Sequence, residues 1–132
     1  MPQLTGDRPA VGGESVAIMH RPGRKRWNGG GRAAFWSCDV ERGEGRVHPT
    51  QKPVLLMREL VRDFTDPGDV ILDPFAGSGT TGVAALAEGR RVILCERAPE
   101  YAEIARRRCE AVERDADWRA PASQLGLFGG GA

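Results

Sequence analysis

Between positions 53 and 64 apolar residues recur at helical spacing. Leu56, Met57, Leu60, Val61 and Phe64 share one side and Pro53 suits a first turn, which predicts a helix from about Pro53 to Phe64. DPGD (Asp66 to Asp69) is turn chemistry, and Val70-Ile71-Leu72 is a continuous apolar run, as expected of a strand buried on both faces. PFAGSG then leads into a second helix, Thr80 to Glu88, ended by Gly89, and Arg91 to Cys95 (RVILC) is another buried strand. Pro99 opens a third helix, with Glu100 and Glu103 early and Arg106, Arg107 and Arg108 later, matching the helix dipole. On it Tyr101, Ile104, Ala105 and Arg108 share a face. Upstream, ESVAIMH (Glu14 to His20) and AAFWSC (Ala33 to Cys38) read as short strands on either side of the loop RPGRKRWNGGGR. The ordered middle is strand, helix, strand, helix, half of a doubly wound, mainly parallel sheet of the α/β class. From Arg114 onward the chain reads as a linker-like tail.

The chain has 132 residues, 40% hydrophobic and 28% charged, the balance of one soluble globular domain. No stretch approaches the roughly 20 consecutive apolar residues of a membrane span, and the start lacks the apolar run of a secretory signal, so a cytoplasmic location is expected. Cys38, Cys95 and Cys109 lack C-x-x-C spacing and indicate neither a disulfide framework nor a zinc site. The net charge of +1 is uninformative, but its distribution is not: His20 to Arg32 holds Arg21, Arg24, Lys25, Arg26 and Arg32 with no acid. Around Trp27 these suit phosphate contacts with one stacking aromatic, although a solvated surface explains such a run equally well.

The most informative stretch is VILD running into PFAGSGTTG. It sets Gly77, Gly79 and Gly82 at G-x-G-x-x-G spacing between a strand and a helix start, where backbone N–H groups face a ligand. At the end of the next strand stands Glu96, in the position from which an acid takes both hydroxyls of an adenosine ribose. Singly, these residues need be no more than a tight turn and a solvated acid; together they point to an adenosine-containing cofactor. Spacing leaves NAD and S-adenosylmethionine both open. Asp73, just ahead of the glycines, favours the sulfonium cofactor, since a carboxylate there repels a pyrophosphate but accepts from the ammonium of a methionine moiety.

HPTQKP (His48 to Pro53), then LDPFAGSGTTG (Leu72 to Gly82), then Cys95-Glu96 resemble the beta class of amino-group DNA methyltransferases, which make N6-methyladenine or N4-methylcytosine. The resemblance runs from about Glu14 to Arg108. It implies a Rossmann-like S-adenosylmethionine-dependent methyltransferase fold, here partial, with residues 1–113 as the C-terminal part of a catalytic domain and 114–132 as a tail. By it Asp73, Pro74, Phe75, Gly77, Ser78, Gly79, Thr80 and Thr81 belong to the cofactor loop, Glu96 holds the ribose, and Thr50, Gln51 and Lys52 close over the methionine end. DNA as the family's substrate tips the basic loop toward phosphate binding.

The family's catalytic tetrapeptide, D/N/S-P-P-Y/F/W, is missing, since the chain contains no Pro-Pro dipeptide, and Asp73-Pro74-Phe75 is committed to the cofactor loop. The permuted family order places that motif before the basic segment, ahead of which stand only thirteen residues. The expectation is an incomplete sheet with an unpaired strand flank and exposed apolar surface, inactive alone or half of a split enzyme whose complementary N-terminal chain supplies the rest. In the tail, Gln124-Leu125-Gly126-Leu127-Phe128 resembles the Q-L-[SD]-L-F peptide that docks on the bacterial sliding clamp, with Gln124, Leu125, Leu127 and Phe128 as anchors. The other readings are a non-catalytic module binding DNA or the clamp, and an NAD-binding oxidoreductase fragment, which leaves HPTQKP unexplained.

Overall fold

Pro53 carries no N–H and its φ of −58° lies where proline is fixed, so it sits at the N-cap of a helix without cost. A computed structural model describes residues 13–23, 25–38 and 51–115 of the chain. Its elements are helix α1 (Val54–Phe64), strand β1 (Val70–Asp73), helix α2 (Thr80–Ala87), strand β2 (Arg91–Leu94) and helix α3 (Pro99–Arg114). The strands pair in parallel, Val70 opposite Arg91 through Asp73 opposite Leu94, and α2 is the crossover that parallel pairing requires.

Helix α2 is the centre of the packing. It lies against both strands, with α1 and α3 packed against it, and Ala84 and Ala85 have no exposed surface. Small residues let the neighbours come close: Val83 and Ala87 join Val112 of α3 in a buried cluster, with Val54 and Leu86 packed around it. Gly89, at φ +75°, turns the chain out of α2 and into β2, a left-handed conformation that suits glycine.

The far end of α1 is fastened by the basic segment. Asn28 donates its backbone N–H to the carbonyl of Asp63 (2.7 Å). Its Nδ2 donates to the carbonyls of Arg62 (3.0 Å) and Thr65 (2.8 Å) and to Asp66 Oδ1 (3.1 Å). It thereby satisfies carbonyls that a helix C-terminus leaves without partners. Beside it Trp27, Trp36 and Phe64 form an aromatic cluster with centroids 5.3 to 6.4 Å apart. The buried carboxylate of Asp63 pairs with Arg32 and accepts from Trp36 Nε1 at 2.8 Å.

Three expectations are corrected. Glu14 to His20 is not a strand, and neither is Ala33 to Cys38. Neither segment pairs with β1 or β2, the strands among the described residues, and Met19 and Phe35 are 91% and 77% exposed. Nor is β1 buried on both faces. In each strand alternate residues are exposed, and Val70, Leu72 and Ile93 lie open on the face turned away from α2. Among the described residues the helices cover one face, as in half of a doubly wound sheet, which when whole carries helices on both.

Replacing Asn28 with Ala should lower stability by about 1–2 kcal/mol, because the cap of α1 and the anchor of the basic segment go together. Urea unfolding followed by tryptophan fluorescence reads this directly; an unmoved midpoint would show that the Asn28 side chain adds nothing to what the backbone contact, the aromatic rings and the Arg26 and Arg32 ion pairs already hold.

Candidate functional site

Backbone conformation builds the loop between β1 and α2. Asp73 Oδ1 accepts the N–H of Phe75 at 2.9 Å, folding the chain back at the strand end. Gly77 and Gly79 both have positive φ, +53° and +82°, and Gly79 caps α2. The glycines then divide the work. A Cβ on Gly79 would stand 2.8 Å from the backbone of Ala105 in α3, and one on Gly82 would stand 2.6 Å from Cys109 Sγ, so these two admit α3. A Cβ on Gly77 would meet nothing within 4 Å. There the backbone is bare towards the space in front of the sheet.

Glu96 closes that space from the end of β2. Its Oε2 accepts the N–H of Gly77 at 2.8 Å and its Oε1 that of Ala98 at 2.9 Å, so the carboxylate is pinned between loop and helix. Each carboxylate oxygen can accept more than one donor, which suits the group to hydroxyls as well. The strand ends are extended by Cys95 N–H to the Asp73 carbonyl and Ala76 N–H to the Cys95 carbonyl, both 2.9 Å, which holds Asp73 and Glu96 in a fixed relation.

A cavity of about 330 Å³ lies here, lined by Gln51, Lys52, Asp73, Phe75, Gly77, Ser78, Thr80, Thr81 and Glu96, with Met57 and Ala76. The structure thus brings together nine of the twelve residues predicted for the cofactor. Pro74 is exposed beside the cavity, Gly79 is buried behind it against α3, and Thr50 lies outside the described residues. Sequence reasoning misses Met57, because its spacing reports a helix face and not which part of that face meets a cavity. Lys52 pairs with Glu14. A larger cleft, about 540 Å³, lies between β2 and α3, where Arg91, Val92 and Leu94 face Ala102, Arg106 and Cys109. Burial pushes the Cys109 thiol up from its ordinary pKa, and the nearby Arg108 charge works against that.

In the basic segment the side chains part ways. Arg26 pairs with Asp66 and Asp69, and Arg32 pairs with Asp63 while lying 5.7 Å from the Trp27 ring centroid. Trp27 is packed on Trp36 and Phe64 and donates Nε1 to the Gly30 carbonyl at 2.8 Å. Arg21 and Lys25 are exposed, and Arg24 lies outside the described residues, as do Gln124, Leu125, Leu127 and Phe128. No group of three metal-ligating side chains occurs among the described residues, nor is any helix there long and apolar enough to cross a membrane.

Residues 20–107 match the DNA methylase family of N6/N4 methyltransferases. The chain belongs to that family. It is 53% identical over 72 residues to the type II methyltransferase M2.DpnII of Streptococcus pneumoniae, covering 54% of this chain and 26% of that one. To YubD of Escherichia coli (strain K12) it is 49% identical over 69 residues, 52% of this chain and 30% of that protein. Among solved structures it resembles the M1.HpyAVI–SAM complex, with a TM-score of 0.59 and 33% identity over 67% of this chain and 45% of that one. The chain therefore spans between a quarter and a third of the curated relatives it matches. Its two-stranded parallel sheet with helices is a partial Rossmann-like methyltransferase fold.

The division among the glycines makes a prediction for this chain. Gly77→Ala should cost about 1 kcal/mol for its left-handed φ, while Gly79→Ala must also displace α3 and should cost about 2–4 kcal/mol. Thermal melts of the two variants side by side measure the difference; equal losses would mean that Ala105 yields freely.

Proposed function

We propose that the chain supplies the S-adenosylmethionine-binding part of a DNA methylase that methylates an exocyclic amino nitrogen of adenine or cytosine. The observation that carries this is the convergence of Gln51, Lys52, Asp73, Gly77 and Glu96 on one cavity outside the carboxyl ends of two parallel strands. Open α/β sheets take their ligands there. The residues fit the group: the bare backbone at Gly77 admits a close ligand, and a cavity of about 330 Å³ is at the small-molecule scale. In this reading Glu96 accepts from the ribose hydroxyls and Asp73 from the ammonium. The loop from Asp73 through Pro74, Phe75, Gly77, Ser78, Gly79, Thr80 and Thr81 shapes the floor, and Thr50, Gln51 and Lys52 close over the amino-acid end. When bound, the sulfonium group supplies a methyl that a nitrogen attacks directly. The chain's part is to bind and orient it.

DNA is the proposed substrate. Arg21, Arg24 and Lys25 are the proposed phosphate contacts, because Arg26 and Arg32 already lie against carboxylates. The open face of Val70, Leu72 and Ile93 is the surface on which a second layer of a methylase fold packs, on a continuous or a complementary chain. Residues 1–113 form the methylase portion, and 114–132 a tail that docks through Gln124, Leu125, Leu127 and Phe128 on the bacterial sliding clamp.

Calorimetric titration of the chain with S-adenosylmethionine should give saturable binding, with none for NAD. Asp73→Asn keeps the acceptor that Phe75 uses and removes only the charge; it should weaken binding about ten-fold. Failure of the wild-type chain to bind would overturn the cofactor reading, and an unchanged constant in the variant would remove Asp73 from the ammonium end.

Replacing Arg21, Arg24 and Lys25 with Ala should flatten the salt dependence of DNA binding by roughly one unit of log–log slope for each phosphate no longer neutralised. Substituting Arg26 should act chiefly on stability instead. An unchanged slope in the triple variant would remove the segment from the DNA interface.

A further inference from the structure

The glycine loop is also gripped from behind. Ser78 lies between two left-handed glycines and is 4% exposed. Arg108, two turns from the C-terminal end of α3, reaches back to it. Its Nη1 donates to the Ser78 carbonyl at 2.7 Å and to Ser78 Oγ at 3.0 Å, and lies 3.4 Å from Thr80 Oγ1. Ser78 Oγ in turn donates towards Gln51 Oε1 at 3.4 Å. A chain of polar contacts thus crosses from α3, under the loop, to the segment ahead of α1. The other wall is built differently, with Glu96 held by the N–H groups of Gly77 and Ala98.

We propose that Arg108 is a positioning residue for the Gln51–Ser78 wall of the cavity, setting it for the amino-acid end of the cofactor and leaving the ribose end to Glu96. This rests on the S-adenosylmethionine reading. All three contacts run through Nη1, so the guanidinium brings a permanent charge and two N–H donors held in one plane at that nitrogen. The fit of Ala105 against Gly79 and of Cys109 against Gly82 brings the Arg108 backbone close to the loop, so the side chain acts at short range.

The test uses the full chain as wild type, Arg108→Met and Arg108→Lys, each titrated with S-adenosylmethionine and with methylthioadenosine, which keeps the nucleoside and lacks the amino-acid end. Arg108→Met should bind S-adenosylmethionine about ten-fold more weakly and methylthioadenosine within about two-fold of wild type, with Arg108→Lys recovering part of the loss. Without ligand, hydrogen exchange should quicken in Arg108→Met at the Gly79 amide, which donates to the Ala76 carbonyl at 2.8 Å, and stay unchanged at Ala98. Equal weakening of both ligands, or unchanged binding and exchange, would overturn the assignment. A wild-type chain that binds neither ligand overturns the cofactor reading instead, and the exchange comparison then still decides whether Arg108 holds the loop.

Discussion

The close approach of α3 to the start of α2 is the constraint on which the rest of the molecule depends. Gly79 and Gly82 remove the atoms that would hold the helices apart, since a Cβ on either would lie within 3 Å of Ala105, Cys109 or Leu94. Ala105, Cys109 and Val112 follow one another at helical spacing along the side of α3 that meets α2. Leu94 of β2 packs against α2 at the same Gly82, and Glu96, just beyond β2, falls opposite the Gly77 amide. The same fit delivers Arg108 to Ser78. The cavity is therefore a consequence of helix packing, and its two walls are joined by hydrogen bonds that a looser crossing could not make.

Charge is used in the opposite sense at the other end of the fold. Arg58 and Glu88 form an ion pair with side chains 3% and 8% exposed, joining α1 to the end of α2. Arg90, also buried, donates to the Thr65 hydroxyl at 2.9 Å and the Thr65 carbonyl at 2.7 Å. Removing water from such pairs costs about as much as their attraction returns, so they add little net stability, but separating them would be expensive. They hold α1 in one orientation. Because Gln51 and Lys52 enter the cavity from just ahead of α1, that orientation reaches the site.

Much of this was legible in the sequence where the signal is local. All five elements between Val54 and Arg114 follow from apolar spacing, from Pro53 and Pro99 at helix starts, and from Gly89 at a helix end. The glycine loop and Glu96 could be read together because strand, loop, helix and acid follow in order. What failed is what depends on distant partners. Strand pairing for Glu14 to His20 needs a neighbour that local pattern does not provide. The basic run reads as unopposed over thirteen residues, yet Arg26 and Arg32 meet Asp69 and Asp63, 43 and 31 positions away. Arg108 was legible as the basic end of a helix; its contact with Ser78, 30 positions back, was not.

The sheet itself couples these two kinds of information. In β1 and β2 the residues turned towards α2 are half-buried, and the cavity is formed at the ends of those same strands, so its geometry draws on the covered face alone. The apolar run Val70-Ile71-Leu72 nevertheless has side chains for two faces, and Leu72 remains 61% exposed beside Phe75 at 89%. A strand that is apolar throughout is suited to cover on both sides. The sequence of β1 therefore specifies a second layer as firmly as it specifies the first. The proposed cofactor cavity thus draws on the face that α2 closes and leaves the other free for that second layer.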